Sequence, residues 1–336
     1  MPSSVLRLVL LAGVVGLPTV AVAAPARPVV VAYQTGPDPV EVAIANGALA
    51  RAVGRPVTFR KFNSGADIFA AIASGDVQVG YVGSSPFAAA ASRGLDIKAF
   101  YVSSISGTDE ALVVRNGSNI AGPADLKGKR LAAAPVSTDH YQLLATLKQN
   151  NIAEKDATVL ALAQPEIVAA WHRGDLDGAF VWDPALRELK KTGTVLLTSK
   201  QVAERGAPTF NAWVATAALV KEDPAFLTAF AGEVARENAS FLTDKAAWDP
   251  QSDNVKAIAK LLGGTPETQA AGLADLNLLP AAAQASEAWL GGGDKGGVAR
   301  ILKDTAGFLK EQRKITAVRD DYNAFVTAAF VAPLSN

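Results

Sequence analysis

The chain of 336 residues has no cysteine, only two histidines, no net charge and, past its first segment, no long apolar run. Each absence removes a class of protein. Without cysteine there are no structural disulfides, and no lipid-modified N-terminal cysteine can tether the chain to a membrane. Two histidines and no thiol leave a zinc centre short of its usual three or four ligands, so no metal and no cofactor is expected. Basic and acidic residues balance at 32 each. Nucleic acid and anionic membrane both select a basic surface, which argues against either as partner.

The long apolar run, Leu8 to Val22, follows a single positive charge at Arg7 and ends at the small-residue site Ala21-Val22-Ala23. Gly13, Gly16 and Pro18 interrupt it, so it reads as an export signal cleaved after Ala23 rather than as a membrane span. Loss of Arg7 with that segment leaves 31 basic against 32 acidic residues, a balance of −1. A soluble monomer diffusing freely in the periplasm is the expectation. With 49% apolar residues the chain can bury a full core, and its length suits two domains.

Strand and helix patterns alternate along it. Val29 to Ala32 is a β-branched run, followed by the turn Thr35-Gly36-Pro37-Asp38 and an alanine-rich helical pattern through Val53. Val57 to Phe62 alternates as a strand, Ser64 and Asp67 have capping-box spacing, and Ile68, Phe69 and Ile72 form the buried face of the next helix. Asp76 to Val82, Ile97 to Val102 and Ala111 to Val114 read as strands, the last two separated by a hinge-like stretch, Ser103 to Asp109. Further strands are expected at Arg130 to Ala134, Thr158 to Leu162 and Gly178 to Trp182, with helices at Thr138 to Asn150 and Pro165 to Arg173. From Asp223 the pattern is helical, with segments at Phe226 to Phe241, Asn254 to Leu262, Leu279 to Leu290 and Asp294 to Gln312. The economical solution is an α/β fold of two lobes with parallel-rich sheets, the helical tail packed around one of them.

Two hydroxyl-rich turns, Gly83-Ser84-Ser85-Pro86 and Pro135-Val136-Ser137-Thr138, stand where a strand pattern gives way to a helix pattern. The first N–H groups of a helix lack intrahelical partners, its dipole adds partial positive charge there, and a hydroxyl can donate beside them. Two such turns can hold a small anion without Lys or Arg. Capping alone also explains each Ser or Thr, though less readily two turns in corresponding places.

An ordered set of motifs narrows the reading. It comprises Val31 to Thr35, Arg60-Lys61-Phe62 with Ser64-Gly65-Ala66, Ala73 to Gln78, the first hydroxyl turn, and Glu110 to Val114. It continues with Ser137-Thr138 and His140-Tyr141, Ala169-Ala170-Trp171 and Arg173-Gly174-Asp175, Val181-Trp182, and Gly206 to Thr209. Together these resemble the periplasmic substrate-binding proteins of ABC importers, in the taurine and aliphatic-sulfonate branch and on its taurine side. The likeness covers nearly all of the chain beyond residue 23. It implies a type II periplasmic binding fold whose chain crosses between lobes twice, with residues 24–107 and 212–336 in lobe 1 and 108–211 in lobe 2. The second crossing would fall near Pro208 to Val214. Hinge closure would trap a small organosulfonate, and the closed form would dock on a membrane permease.

On that resemblance the two turns become one jaw per lobe, with Ser84 and Ser85 facing Ser137 and Thr138 across a sulfonate. Ser64-Gly65 offers a third turn, although the box with Asp67 explains Ser64 by itself. Gln34 ends the first strand, where open α/β sheets bind ligands. For an ammonium end the candidates are Glu110, Asp183 and Asn211, with Asp109 as a substitute. Taurine binders carry an acidic residue where this chain has Asn211 and an alanine where it has Asp183, so the charge that meets an amine is displaced. Asp183 before Pro184 also suits a helix start. Trp182 and Tyr141, with Tyr33 and Trp213, offer walls, Trp171 reads as core, and His140 reads as a helix-start residue facing solvent.

Other cargoes share the scaffold: a longer or amine-free sulfonate, a sulfate ester, nitrate, a carboxylate or a pyrimidine. A carboxylate usually recruits an arginine fork, and none lies in the turns; Arg60 and Arg115 are imperfect candidates. An enzyme would need an activated nucleophile, but Ser137, Asp139 and His140 are neighbours in sequence and no Gly-x-Ser-x-Gly elbow occurs. A binding protein rather than an enzyme is expected.

Overall fold

A computed structural model describes residues 27–335, so the expected export signal lies outside the described residues. Strands β1 (Val29–Tyr33), β2 (Val57–Lys61), β3 (Val79–Gly83) and β4 (Ile97–Ile105) open a first sheet. The chain then builds a second sheet from β5 (Glu110–Arg115), β6 (Arg130–Ala133), β7 (Thr158–Ala161), β8 (Gly178–Trp182) and β9 (Gly193–Thr198). It returns to the first with β10 (Phe210–Thr216) and β11 (Asn277–Leu278). The sheet orders are β11-β4-β10-β3-β1-β2 and β7-β6-β8-β5-β9.

Both sheets are mixed rather than parallel-rich. β1 runs parallel to β2 and β3, and β6 runs parallel to β7 and β8. The strand that follows each passage between sheets runs the other way: β5 is antiparallel to β8 and β9, and β10 is antiparallel to β3 and β4, as is the short edge strand β11 to β4. A strand arriving from the other lobe enters from the end at which its neighbours finish, which fixes the opposite sense. The helices that position the cleft are α1 (Gly65–Ala73), α2 (Ser84–Ser92), α3 (Thr138–Gln149) and α4 (Ala185–Leu189). The tail contributes α5 (Pro224–Thr243), α6 (Pro266–Ala274) and α7 (Gly297–Glu311).

The first sheet keeps more of the chain on both sides of the passage to the second: β4 runs on to Ile105 and β10 begins at Phe210. Ser103 and Ser104 continue β4, because their hydroxyls are satisfied inside: Ser103 Oγ donates to Asp38 Oδ2 at 2.7 Å and Ser104 Oγ accepts from Asn211 Nδ2 at 3.3 Å. Residues 106–109 link β4 of the first sheet to β5 of the second. The chain returns before Phe210, since β10 is already paired with β3 and β4, and residues 210 and 211 belong with the first sheet. In the tail, Leu279 and Leu290 are buried anchors flanking a single helical turn, Ala281–Gln284, rather than one continuous helix.

Packing explains the framework. A side chain at Gly80 would place its Cβ 2.6 Å from Ile68 Cγ2, so β3 accepts α1 against it only with glycine there. Trp213 of β10 packs its ring on Tyr81 at 5.3 Å and on Phe230 of α5 at 4.9 Å, locking the returning strand into the first core. The tail serves both lobes. Phe308 of α7 meets Tyr141 of α3 edge-on at 5.1 Å, Glu311 pairs with Lys148 at 2.7 Å, and Lys314 pairs with Glu154 at 2.9 Å. Among the described residues no helix is long and apolar enough to cross a membrane.

Candidate functional site

A cleft of about 630 Å³, counting the part open to solvent, lies between the two sheets. Its first-lobe wall includes Gln34, Gly65, Tyr81, Gly83, Pro86 and Asn211, and its second-lobe wall includes Asp109, Glu110, Ser137, Thr138, Trp182 and Asp183. Three helix N-termini open onto it. α1 is capped by Ser64, α2 by Gly83 and α3 by Ser137. No Lys or Arg is among the lining residues, so the positive potential in the cleft comes from these helix ends.

The lobes touch across the mouth. A Cβ at Gly83 would sit 2.7 Å from Thr138 Cγ2 and 3.4 Å from Asn211 Oδ1, and one at Gly272 of α6 would sit 2.7 Å from Asp183 Oδ2. Both contacts are made possible by a missing side chain. The Trp182 indole N–H donates to Thr35 Oγ1 at 3.1 Å, and the Thr35 hydroxyl donates to the Asp183 carbonyl at 3.3 Å, tying β8 to the loop after β1. Trp182 is thus a wall held from both lobes.

The hydroxyls divide differently from the sequence reading. Ser64 is off the cleft: its Oγ accepts from Asp67 N and donates to Asp67 Oδ2 at 2.8 Å, leaving Gly65 as the part of that turn that lines the site. Ser84 and Ser85 are buried with the rest of α2, and neither is among the residues that line the cleft. Ser84 Oγ accepts from Phe210 N at 3.4 Å, and Ser85 Oγ is buried with no hydrogen-bond partner among the described residues. Ser137 reaches the cleft, but its hydroxyl is engaged as the α3 cap, accepting from His140 N and donating to Ala134 O. Tyr141 packs behind α3 on Phe308, away from the ligand space. Tyr33 and Trp213 are core, and His140 is buried rather than solvent-facing.

Acceptors dominate the second-lobe wall. Glu110 is buried; its Oε1 accepts from Thr138 Oγ1 at 2.6 Å and its Oε2 has no hydrogen-bond partner among the described residues. Burial pushes the Glu110 carboxyl up to about 7, with the Thr138 hydrogen bond acting against that rise. Burial and then the neighbouring Glu110 push Asp109 well above the usual carboxylate range. Asp139, behind the wall, is raised by burial and by both of these acids. Asp183 is different: burial raises it, but Arg187 stands against it, donating from its backbone N to Oδ1 and from Nε to Oδ2 at 3.0 Å. Arg187 also pairs with Asp275. Asp183 therefore opens α4 and is already neutralised.

Gln34 donates from Nε2 to the Tyr81 carbonyl at 3.0 Å and lines the cleft. Asn211 lines the site with its amide tied to Ser104. The two arginines considered for a carboxylate ligand lie elsewhere: Arg60 sits over the Phe62 ring and Arg115 over the Trp171 ring. Tyr81, Pro37, Gly272 and Leu276 line the cleft without having been singled out in the sequence. Gly36 and Pro37 carried a turn signal; α6 carried none that pointed to a site.

A family model described as an ABC transporter, phosphonate, periplasmic substrate-binding protein matches residues 43–238. The taurine-binding periplasmic protein of Escherichia coli (strain K12) is 43% identical over 304 residues, which cover 90% of this chain and 92% of the relative. The chain belongs to the periplasmic substrate-binding proteins of ABC transporters. Among solved structures, the alkanesulfonate-binding protein SsuA from Xanthomonas axonopodis pv. citri bound to MOPS superposes with a TM-score of 0.71 at 22% identity, covering 93% of this chain and 98% of that one. The desulfurization enzyme DSZB superposes with a TM-score of 0.57 at 13% identity, covering 91% of this chain and 98% of that one. These two likenesses concern the fold. In this substrate-binding protein, the type II two-lobed architecture places the cleft between the two sheets.

Proposed function

We propose that this protein captures taurine, or a similarly short aminosulfonate, in the interlobe cleft and hands it to an ABC permease in the inner membrane. The observation that carries the reading is the charge distribution of the cleft. It combines a buried glutamate oxygen with no partner among the described residues, three helix N-termini and no basic side chain in the lining. Such a lining suits a zwitterion. The ammonium meets Glu110, with Asp109 beside it, and the sulfonate is held by backbone N–H groups and the Thr138 side. The 43%-identical taurine-binding relative supports the same ligand. Four or five charge-assisted contacts of about 1.5–3 kcal/mol each, reduced by desolvation, suffice for micromolar binding near roughly −8 kcal/mol.

The chain works as an exported, unanchored monomer, with residues 27–105 and 210–335 in lobe 1 and 110–203 in lobe 2. It performs no reaction on its cargo: Ser137 Oγ is engaged as a cap, and His140 accepts from the Val136 N–H at 3.2 Å. Isothermal titration with taurine, ethanesulfonate, sulfate and nitrate tests the reading. Taurine should bind in the micromolar range, and failure to bind at about 10 mM would reject it.

Two expected results arise here. Lowering the pH from 8 to 6 should weaken taurine binding about tenfold, because a carboxyl titrating at about 7 is then largely protonated and no longer pairs with an ammonium. Ethanesulfonate binding should not follow that curve. Second, Ser137→Ala should lower the melting temperature by loss of a cap worth about 1 kcal/mol, while Ser85→Ala leaves it unchanged. Both variants should keep taurine affinity within about threefold, since the Ser137 hydroxyl is engaged as a cap and Ser85 is not among the residues that line the cleft. Calorimetry of each variant with and without taurine provides the check.

A further inference from the structure

We propose that His140 is a positioning residue for the ligand cleft: by accepting the Val136 N–H it holds a left-handed turn that seats Val136 against the opposite lobe and sets where the N-terminus of α3 meets the ligand. The inference rests on the cleft reading above, but its first evidence is a backbone feature independent of any ligand. Val136 has φ +60. That region crowds the Cβ of any L-residue and is worst for a β-branched one, so valine occupies it only where the surroundings overdetermine it.

Two things do so. On one side, Val136 N donates to His140 Nδ1 at 3.2 Å, closing the turn within the second lobe. On the other, the Val136 side chain packs against the first lobe's core at a groove lined by Phe69 and Ala70 of α1 and Pro86 and Ala89 of α2. A glycine or asparagine would adopt the turn with less strain, yet neither supplies a branched apolar group to fill that groove. The strain is offset by a contact between lobes, and His140 is the acceptor that keeps the strained N–H satisfied.

The imidazole is suited to this role. His140 is buried, its own backbone N–H is held by Ser137 Oγ at 3.0 Å, and Nδ1 accepts only when it carries no proton. Burial holds its protonation down to about 4, with Lys314 acting in the same direction and Glu154 against it. Those two residues face it as an ion pair at 2.9 Å. The neutral form with the proton on Nε2 therefore persists through the working range of pH. Ser137 and Thr138, the residues that follow Val136, line the cleft, and Thr138 donates to Glu110. A turn that relaxes carries Thr138 away from Gly83.

Three variants and one spectroscopic measurement on the purified protein test this. His140→Leu should raise the dissociation constant for taurine about tenfold, the scale of one buried donor left unpaired. His140→Asn, whose amide oxygen can replace Nδ1, should return it to within about threefold of the parent. Val136→Ala keeps the backbone hydrogen bond, removes the groove contact, and should raise the constant about threefold with the unliganded melting temperature within about 2 °C. Nitrogen NMR of the imidazole should show the Nε2–H tautomer from pH 5 to 8. Equal losses in His140→Asn and His140→Leu, or an Nδ1–H tautomer, would overturn the proposal. If His140→Leu does not fold, Val136→Ala and the tautomer decide. If the parent protein binds no taurine, the ligand reading fails while the tautomer still decides the role of His140 in the turn.

Discussion

Replacing Glu110 by glutamine should raise the dissociation constant for taurine about 100-fold and leave that for ethanesulfonate within about threefold, because a buried ion pair is lost only where the ligand carries an ammonium. The fold should tolerate the change, since Thr138 Oγ1 can donate to the amide oxygen as it does to Glu110 Oε1 at 2.6 Å. The unliganded variant should gain stability with a definite pH signature. Glu110 titrates at about 7 in the folded chain against an ordinary value of 4.5, so the folded state holds the proton more tightly than the unfolded one. The parent protein therefore loses stability as pH rises from about 4.5 to about 7, and Glu110→Gln does not share that loss. At pH 8 the variant should melt roughly 5 °C above the parent, and at pH 4 the two should coincide. Calorimetry at the two pH values checks this; a variant that melts lower at pH 8 would place the carboxylate in a stabilising pair.

Gly83→Val should weaken taurine and ethanesulfonate alike, by about 100-fold or more, because it acts on closure rather than on either end of the ligand. The smallest side chain already places Cβ 2.7 Å from Thr138 Cγ2. Gly83 itself has φ −77 and ψ 158, an ordinary extended conformation, so valine brings no backbone strain and the first lobe should fold unchanged. Solution X-ray scattering on the parent should show compaction with taurine that the variant lacks. A variant that still compacts and binds would show that the lobes trap ligand without the approach of Gly83 to Thr138.

The two predictions separate what was legible in the sequence from what was not. Strand-to-helix turns at residues 83–86 and 135–138 are local signals, and they correctly mark helix N-termini that open on the cleft. Which side chain of a turn faces the ligand is not local. Ser84 Oγ accepts from the Phe210 N–H of β10, a strand that arrives 126 residues downstream. Asp183 followed a similar course: the helix-start reading needed only Pro184, whereas its ion pair needed Arg187, which also pairs with Asp275 of the distant tail. Tyr141 lay on an amphipathic helix whose second apolar partner, Phe308, arrives from α7. Apolar spacing can show that a face is buried but not what buries it.

Chain reversal accounts for the remaining differences in the fold. Periodicity located β5 but not the direction in which it would join a sheet, and it did not single out β10, the strand that carries the chain back to the first sheet. The serines of β4 read as a hinge because hydroxyls are common in loops; here Asp38 and Asn211 satisfy them within the core. Gly272 and Leu276 reach the cleft from the α6 region only because the tail folds back over the first lobe. No spacing in that segment announces a site.

On the proposed function the cleft recognises both ends of a zwitterion, the sulfonate by helix ends and the ammonium by Glu110. Titration of the purified protein at pH 8 with taurine and with ethanesulfonate, which differ by the amine, tests it directly. The expected result is micromolar binding of taurine and a dissociation constant about 100-fold higher for ethanesulfonate. Equal affinities for the two would contradict it.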